Sequence, residues 1–253
     1  GTLRRAFVGP GDQWGIVRFA SGPDSFLRWD TNRQRVVPNI ARDFRLEDDN
    51  RTLTLYLRRG MRWSDGTPFT AADVLFWYED LYLDRRVVAA PSPSLQIDGQ
   101  DVRIEALDDY TVRFVSPAPY EVLAELLASS TDLGGQSFYG SFGMGGYAPK
   151  HYLSQFHPKY RSESEITTLV RVRGFANWSI YLRNRNDWTL NPELPVLTPW
   201  RLVSPIISQD FSLERNPYSV WVDTAGNQLP YICLLYTSPS PRDRGCSRMP
   251  SSA

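Results

Sequence analysis

Two histidines, one glycine-rich loop and scattered carboxylates are the residues of this chain with the means to do chemistry. His151 and His157 stand six positions apart, which puts them on different faces of a helix, and Pro158 follows the second. The i, i+4 histidine pair of a helical zinc site is missing and no Cys precedes residue 233, so neither a metal site nor a cofactor is expected. No G-x-S-x-G elbow occurs, and a serine hydrolase therefore lacks its nucleophile signal. The loop "GGQSFYGSFGMGGY" (134–147) holds neither G-K-[ST] nor G-x-G-x-x-G, so nothing in it cradles phosphate. It does place glycine-bared backbone N–H groups beside Phe138, Tyr139, Phe142 and Tyr147, a surface suited to peptides or sugars. An ordinary loop packing its aromatics inward reads the same way. Asp65, in the stretch "WSDGTPFTAADVLFWYEDL" (63–81), has no acid–base partner nearby in sequence. No two carboxylates pair as a glycosidase requires. No catalytic residue emerges, and binding is favoured by elimination.

The elements that would position these residues are legible in places. Thr52–Leu57 alternates, Leu53, Leu55 and Leu57 facing one way and Thr52, Thr54 and Tyr56 the other, which predicts a half-buried strand. Asp65-Gly66 marks a turn, and Pro68 keeps Thr67 extended. Thr70 then stands at an N-cap with Asp73 three residues on, a capping box with Asp in place of Glu or Gln. Val74, Trp77, Tyr78 and Leu81 fall at i, i+3, i+4, i+7, so the helix should bury a broad aromatic face. Every polar residue of 63–81 thus has a structural task. Val102–Leu107 and Tyr110–Val115 predict a hairpin around Asp108-Asp109. Helices are expected over Glu121–Ala128, Pro149–Phe156 and, from a Ser162/Glu165 capping box, to about Val172. A Pro-rich connector leads to strand-like runs at Trp200–Val203 and Phe211–Glu214, and "GTLRRAFVG" opens the chain as a short strand.

Lys+Arg and Asp+Glu number 28 each, giving no net charge and no reason to expect nucleic acid as a partner. No apolar run reaches membrane-spanning length, and no signal peptide precedes Leu3. From Cys233 the chain reads "CLLYTSPSPRDRGCSRMPSSA", rich in Ser, Pro and Arg, with no strand period past Leu235. Back-translated, Cys233–Asp243 resembles a transposase-type sequencing adapter, and Ser247–Ala253 resembles the flow-cell end of the same DNA. Residues 233–253 are therefore expected to be a disordered read-through of library DNA, the natural chain having been cut at about Ile232.

The run "VVPNIARDFRLEDDNRTLTLYLRRGMRWSDGTPFTAADVLFWYEDL" resembles the signature region of the family 5 extracellular solute-binding proteins of ABC transporters, which include oligopeptide- and dipeptide-binding proteins. Pro38, Ala41, Leu57, Arg58, Gly60, Trp63, Asp65, Gly66, Pro68, Phe69, Thr70, Ala71, Asp73 and Val74 match its pattern, and Ile40 replaces the usual Leu. "APKHYL" and "LERNPYSVWVDTAGNQLPYI" resemble the family too. The resemblance implies a truncated α/β fold of the bilobal, type II periplasmic-binding-protein kind, closing on ligand as a hinged clamp. Residues 1–38 and 191–232 would be pieces of lobe I, 39–190 its inserted small α/β domain, and the second lobe would be missing. It further implies a periplasmic or cell-surface protein, monomeric and not an enzyme, that captures oligopeptides and delivers them to an ABC permease. An oligosaccharide is the close alternative, slightly favoured by eight Trp; an envelope hydrolase or a ligand sensor is the alternative of another class. By position in the family, Ala20, Ser21 and Gly22 would offer backbone groups to the ligand, whereas Trp29, Phe138, Tyr139 and Phe142 are aromatic candidates on physical grounds.

Overall fold

The computed structural model describes residues 2–7, 24–128, 133, 135–137, 145–208 and 210–239. Strands β1 (Thr2–Phe7), β2 (Leu27–Trp29) and β3 (Val36–Pro38) lead into β4 (Ala41–Glu47) and β5 (Thr52–Leu57). Asp48, Asp49 and Asn50 turn the β4–β5 hairpin with positive φ, a region Asn and Asp tolerate better than most residues. After the two short strands β6 (Gln96–Ile97) and β7 (Gln100–Asp101), the predicted hairpin forms as β8 (Arg103–Asp108) and β9 (Thr111–Val115). Together these give an antiparallel sheet in the order β4-β5-β9-β8.

The leucine face of β5 is fully buried, as its alternation predicts, but Thr52 and Thr54 are buried too. The strand is central, and in register Thr54 lies between Arg45 and Arg113. Arginine stems laid along a strand cover small neighbours while their charged heads stay in water. Arg42 and Arg45 likewise stack on the Tyr56 ring.

Helix α1 (Ala71–Leu75) starts at Thr70, which is extended at φ −140°, with both halves of the capping box made. It runs on into a π-helical segment, Phe76–Tyr82, instead of continuing as α-helix. The wider turn changes the phase, so Phe76, Asp80 and Tyr82 are buried along with the predicted Val74, Trp77, Tyr78 and Leu81. Helix α2 (Leu123–Ala128) packs on β2 and β3. Helix α3 (Lys150–Leu153) tightens into a 3₁₀ turn, and α4 (Glu163–Val172) carries the predicted Ser162/Glu165 box. Helix α5 (Trp178–Arg185), which apolar periodicity does not announce, is capped by Asn177, whose side-chain oxygen accepts the Ile180 N–H at 2.9 Å.

A second four-stranded sheet joins the two ends of the described chain in the order β1-β12-β11-β10, with β10 at Trp200–Leu202, β11 at Phe211–Arg215 and β12 at Leu234–Pro239. This corrects the expectation of a structureless chain from residue 233. Strand β12 pairs in parallel with β1 and antiparallel with β11, and Leu235, 1% exposed, lies in register with Leu3 and Leu213. Two facing strand edges leave rows of unpaired N–H and C=O groups, and a short apolar run entering between them satisfies both. The chain after residue 239, and with it the rest of that expectation, lies outside the described residues.

Candidate ligand-binding region

The aromatic centre of the core joins the signature stretch to the glycine-rich loop. Trp63 sits edge-on to Phe69 at 5.6 Å and to Tyr147 at 5.9 Å, and Tyr147 in turn packs against Phe69 and Phe26. Tyr147 is therefore core, with its hydroxyl donating to the Asp24 carbonyl at 2.7 Å. Beneath this cluster lies the buried Asp73 carboxylate. It accepts the Thr70 N–H and Trp63 Nε1–H on Oδ2, at 3.0 and 3.3 Å, and the Lys150 N–H on Oδ1 at 3.0 Å. Burial pushes the Asp73 carboxyl upward, against these three donors.

Asp65 does have a partner, one that sequence distance hides. His151 Nε2 lies 2.8 Å from Asp65 Oδ2, while Asp65 Oδ1 accepts the Thr67 N–H at 3.0 Å. Partial burial alone would raise this carboxyl, but the Thr67 N–H and His151 bring it below its usual value. The neighbouring Ser64 hydroxyl accepts the Val196 N–H at 3.0 Å, tying the turn to the connector that follows residue 191. Arg62 and Pro68 bridge across the turn, and a Cβ on Gly66, at φ +90°, would meet the Tyr218 hydroxyl at 3.0 Å. The stretch is a closed turn and a capped helix held by the return segment. Among the described residues no group of three or more His, Cys, Asp or Glu is placed to hold a metal ion.

The base of the glycine-rich loop is equally spoken for. Gly146 N–H donates to the Gly135 carbonyl at 2.7 Å, and Gln136 bridges to Tyr147. A Cβ on Gly145 would come within 2.7 Å of the Gly135 carbonyl, and one on Gly146 within 2.6 Å of the Phe26 ring. These glycines serve close packing, and the Gly146 N–H is used inside the protein instead of being offered to a ligand. Gln136 sends its backbone N–H to Asp24 Oδ2 at 3.1 Å and its side-chain amide to the Pro195 carbonyl at 2.8 Å. Burial pushes the Asp24 carboxyl up to about 7, opposed by the Gln136 N–H. Neither Asp24 nor Gln136 carries a sequence signal, since 112 residues separate them.

Of the residues singled out as ligand-facing, Trp29 lies in β2 opposite Val36, partly buried against the core. Its neighbour Arg28 reaches over the Trp221 ring at 5.9 Å. Ala20, Ser21, Gly22, Phe138, Tyr139 and Phe142 lie outside the described residues. Asp24 leads back to the first three along the chain and Ser137 leads on to the others.

A family model described as "Bacterial extracellular solute-binding proteins, family 5 Middle" matches residues 35–243. The chain belongs to this family. A periplasmic alpha-galactoside-binding protein of Rhizobium meliloti (strain 1021) is 32% identical over 201 residues, covering 79% of this chain and 25% of that protein. A solved oligopeptide-binding protein, OppA, superposes with a TM-score of 0.81 at 35% identity, covering 96% of this chain and 36% of that one. The periplasmic binding protein MelB of Agrobacterium fabrum C58, solved with stachyose, gives a TM-score of 0.66 at 27% identity, covering 94% and 34%. This family 5 chain thus spans a quarter to about a third of the length of these proteins. It has the mixed α/β architecture of part of a bilobal periplasmic binding protein, the truncated fold that its sequence implies. No helix among its described residues is long and apolar enough to cross a membrane.

Proposed function

We propose that the protein to which this chain belongs captures oligopeptides outside the cytoplasmic membrane and delivers them, as a monomer, to an ABC permease. The observation that carries the reading is the likeness to OppA, which extends over 96% of the chain. Backbone groups at Ala20, Ser21 and Gly22 would meet the ligand, with Trp29, Phe138, Tyr139 and Phe142 supplying aromatic faces. In this reading residues 1–38 and 191–232 belong to one lobe, 39–190 form its inserted small domain, and 233–253 derive from library DNA. A specific observation favours a second ligand class: one relative is an alpha-galactoside-binding protein, and MelB was solved with stachyose. An oligosaccharide of that class would stack its sugar faces on the same aromatics.

Calorimetric titration of the full-length natural protein with tri- to pentapeptides and with stachyose tests the proposal. Micromolar peptide binding with no stachyose binding is the expected result. The converse transfers the assignment to oligosaccharides. Ligand turnover in the same samples would overturn the solute-binding reading altogether.

A further inference from the structure

The sheet β4-β5-β9-β8 buries the leucines of β5 on one face, and its opposite face holds two donors without acceptors. Across that face Arg45 of β4 and Arg113 of β9 stand in register on either side of Thr54, which lies in the central strand β5. Thr54 is 3% exposed, and its hydroxyl makes no hydrogen bond. Arg113 Nε is likewise buried and unpaired. The same guanidinium meets Glu105 through Nη1 at 3.4 Å, and the other oxygen of Glu105 is held by Arg103 at 3.1 Å. Arg42 and Arg45 both lie over the Tyr56 ring, each 5.7 Å from its centre. Among the described residues no carboxylate comes within ion-pair distance of either, although Asp43 and Glu47 share the face of β4 with Arg45.

We propose that Arg45, Thr54 and Arg113 form a binding site for one tetrahedral oxyanion, a phosphate group, on this face of the sheet. Buried donors are nearly always paired, so two unpaired ones on adjacent strands mark the place of an acceptor. That acceptor is anionic, because two of the three donor side chains are guanidinium groups, whose forked N–H geometry matches phosphate oxygens. Neighbouring strands lie about 4.8 Å apart, so side chains from three of them reach a common point from three directions. A carboxylate has two oxygens to share among them, whereas a phosphate has one for each. Entry requires only that two arginine stems part over Thr54. Arg45 is exposed and the Arg113 side chain is 37% exposed, so neither is locked by packing. Glu105 does not fill the place itself, since its two oxygens are taken up by Arg103 and by Arg113 Nη1. Arg42, stacked on Tyr56, adds a further positive charge at the rim. None of these residues is assigned to the transported solute, and the site stands or falls apart from the solute-binding reading.

Titration of the 253-residue chain with inorganic phosphate, at an ionic strength held constant with chloride, reads the site directly. The Arg113 Nε–H and Thr54 amide resonances should shift saturably with phosphate and stay in place with chloride. Equal shifts in both salts mean screening alone and overturn the proposal. Thr54→Val keeps the shape of the side chain and removes its hydroxyl. Without phosphate the variant should melt at or above the native temperature, because no hydrogen bond is lost. A lower melting temperature shows that the hydroxyl is already partnered and overturns the proposal. With phosphate the native chain should gain stability and the variant should gain less; equal gains overturn the proposal. Arg45→Gln, at an exposed position, should weaken phosphate about tenfold through the loss of one charge-assisted contact, and unchanged affinity refutes the site. Sedimentation with phosphatidylglycerol vesicles, with phosphatidylcholine vesicles as the blank, separates two sources of the phosphate. Sedimentation that inorganic phosphate reverses assigns the site to a lipid headgroup, and phosphate binding without sedimentation assigns it to a soluble phosphate. Failure to respond to either probe overturns the proposal.

Discussion

Replacing Asp73 by alanine tests whether the signature stretch 63–81 is scaffold. The carboxylate is 4% exposed and accepts three N–H groups. Trp63 is wholly buried, so its indole N–H would be left without an acceptor or water, at a cost of about 1–3 kcal/mol. Losing the reciprocal half of the capping box at Thr70 costs about 1 kcal/mol more. The Lys150 N–H opens α3, and the loss of its acceptor adds about 0.5–1 kcal/mol. Against these stands relief of the burial that pushes the Asp73 carboxyl upward, which trims the sum towards its lower end. The net loss is about 3 kcal/mol, which for a chain of this size lowers Tm by roughly 6–12 °C. Asp65→Ala is the control from the same stretch. Its side chain is 41% exposed, and a pair of that exposure contributes at most about 1 kcal/mol. Calorimetric melts of both variants at pH 7 check the difference. Equal losses, or an Asp73→Ala protein within about 0.5 kcal/mol of native, would refute the burial reasoning. An Asp65→Ala full-length protein that melts normally but no longer captures ligand would refute the scaffold reading.

Three further outcomes follow from individual contacts. Gly145→Ala should cost about 1–3 kcal/mol in denaturant titration, because the new methyl meets the Gly135 carbonyl, which is backbone and cannot rotate aside. His157 donates from Nε2 to the Asp80 carbonyl and accepts the Lys159 N–H on Nδ1, and burial holds its pKa below 6.5. The unfolded chain then binds a proton at a pH where the native one does not, so stability from this group falls as pH drops below 6.5; melts at pH 7.5 and 5.5 should show a smaller acid loss in His157→Gln. Leu235→Asp puts an unpaired charge between Leu3 and Leu213, and should strip amide protection from β11 while leaving β5 and β9 protected.

Where a feature is encoded within one turn or one hairpin, the residues announce it. Thr70 with Asp73 and Ser162 with Glu165 predict two capping boxes that both form, and Asp108-Asp109 predicts the β8–β9 turn. The π-helical segment is illegible because the same four residues are buried in either phase, and only Phe76, Asp80 and Tyr82 distinguish them. Helix α5 is missed for a related reason: Asn177 was a usable cap signal, but buried Tyr181 and Leu182 make no stripe among four polar neighbours. Strand β12 is missed because its composition says little, and what recruits it is a pair of edges far away in sequence. Contacts such as Asp65–His151, 86 residues apart, leave no trace in any local pattern.

The residues that identify this chain and the residues that would hold its ligand are consequently different kinds of residue. Trp63, Asp73 and Thr70 are fixed by burial and capping, demands that a short stretch of sequence meets alone and that therefore leave a recognisable string. The glycine-rich loop looks in sequence like one surface, yet its two halves divide the work. Gly135, Gln136 and Gly145–Tyr147 are consumed in fastening it to Asp24, Phe26 and Pro195. The residues between them are the ones to which the proposed reading assigns the solute. A base this closely packed transmits strain instead of absorbing it, so ligand selectivity should depend on the fastening as well as on the aromatic faces it carries. Exchanging residues 138–142 between peptide-binding and galactoside-binding relatives should then transfer specificity only when the Asp24–Gln136 contact is kept, and a full transfer in an Asp24→Ala background would show that the loop selects its ligand unaided.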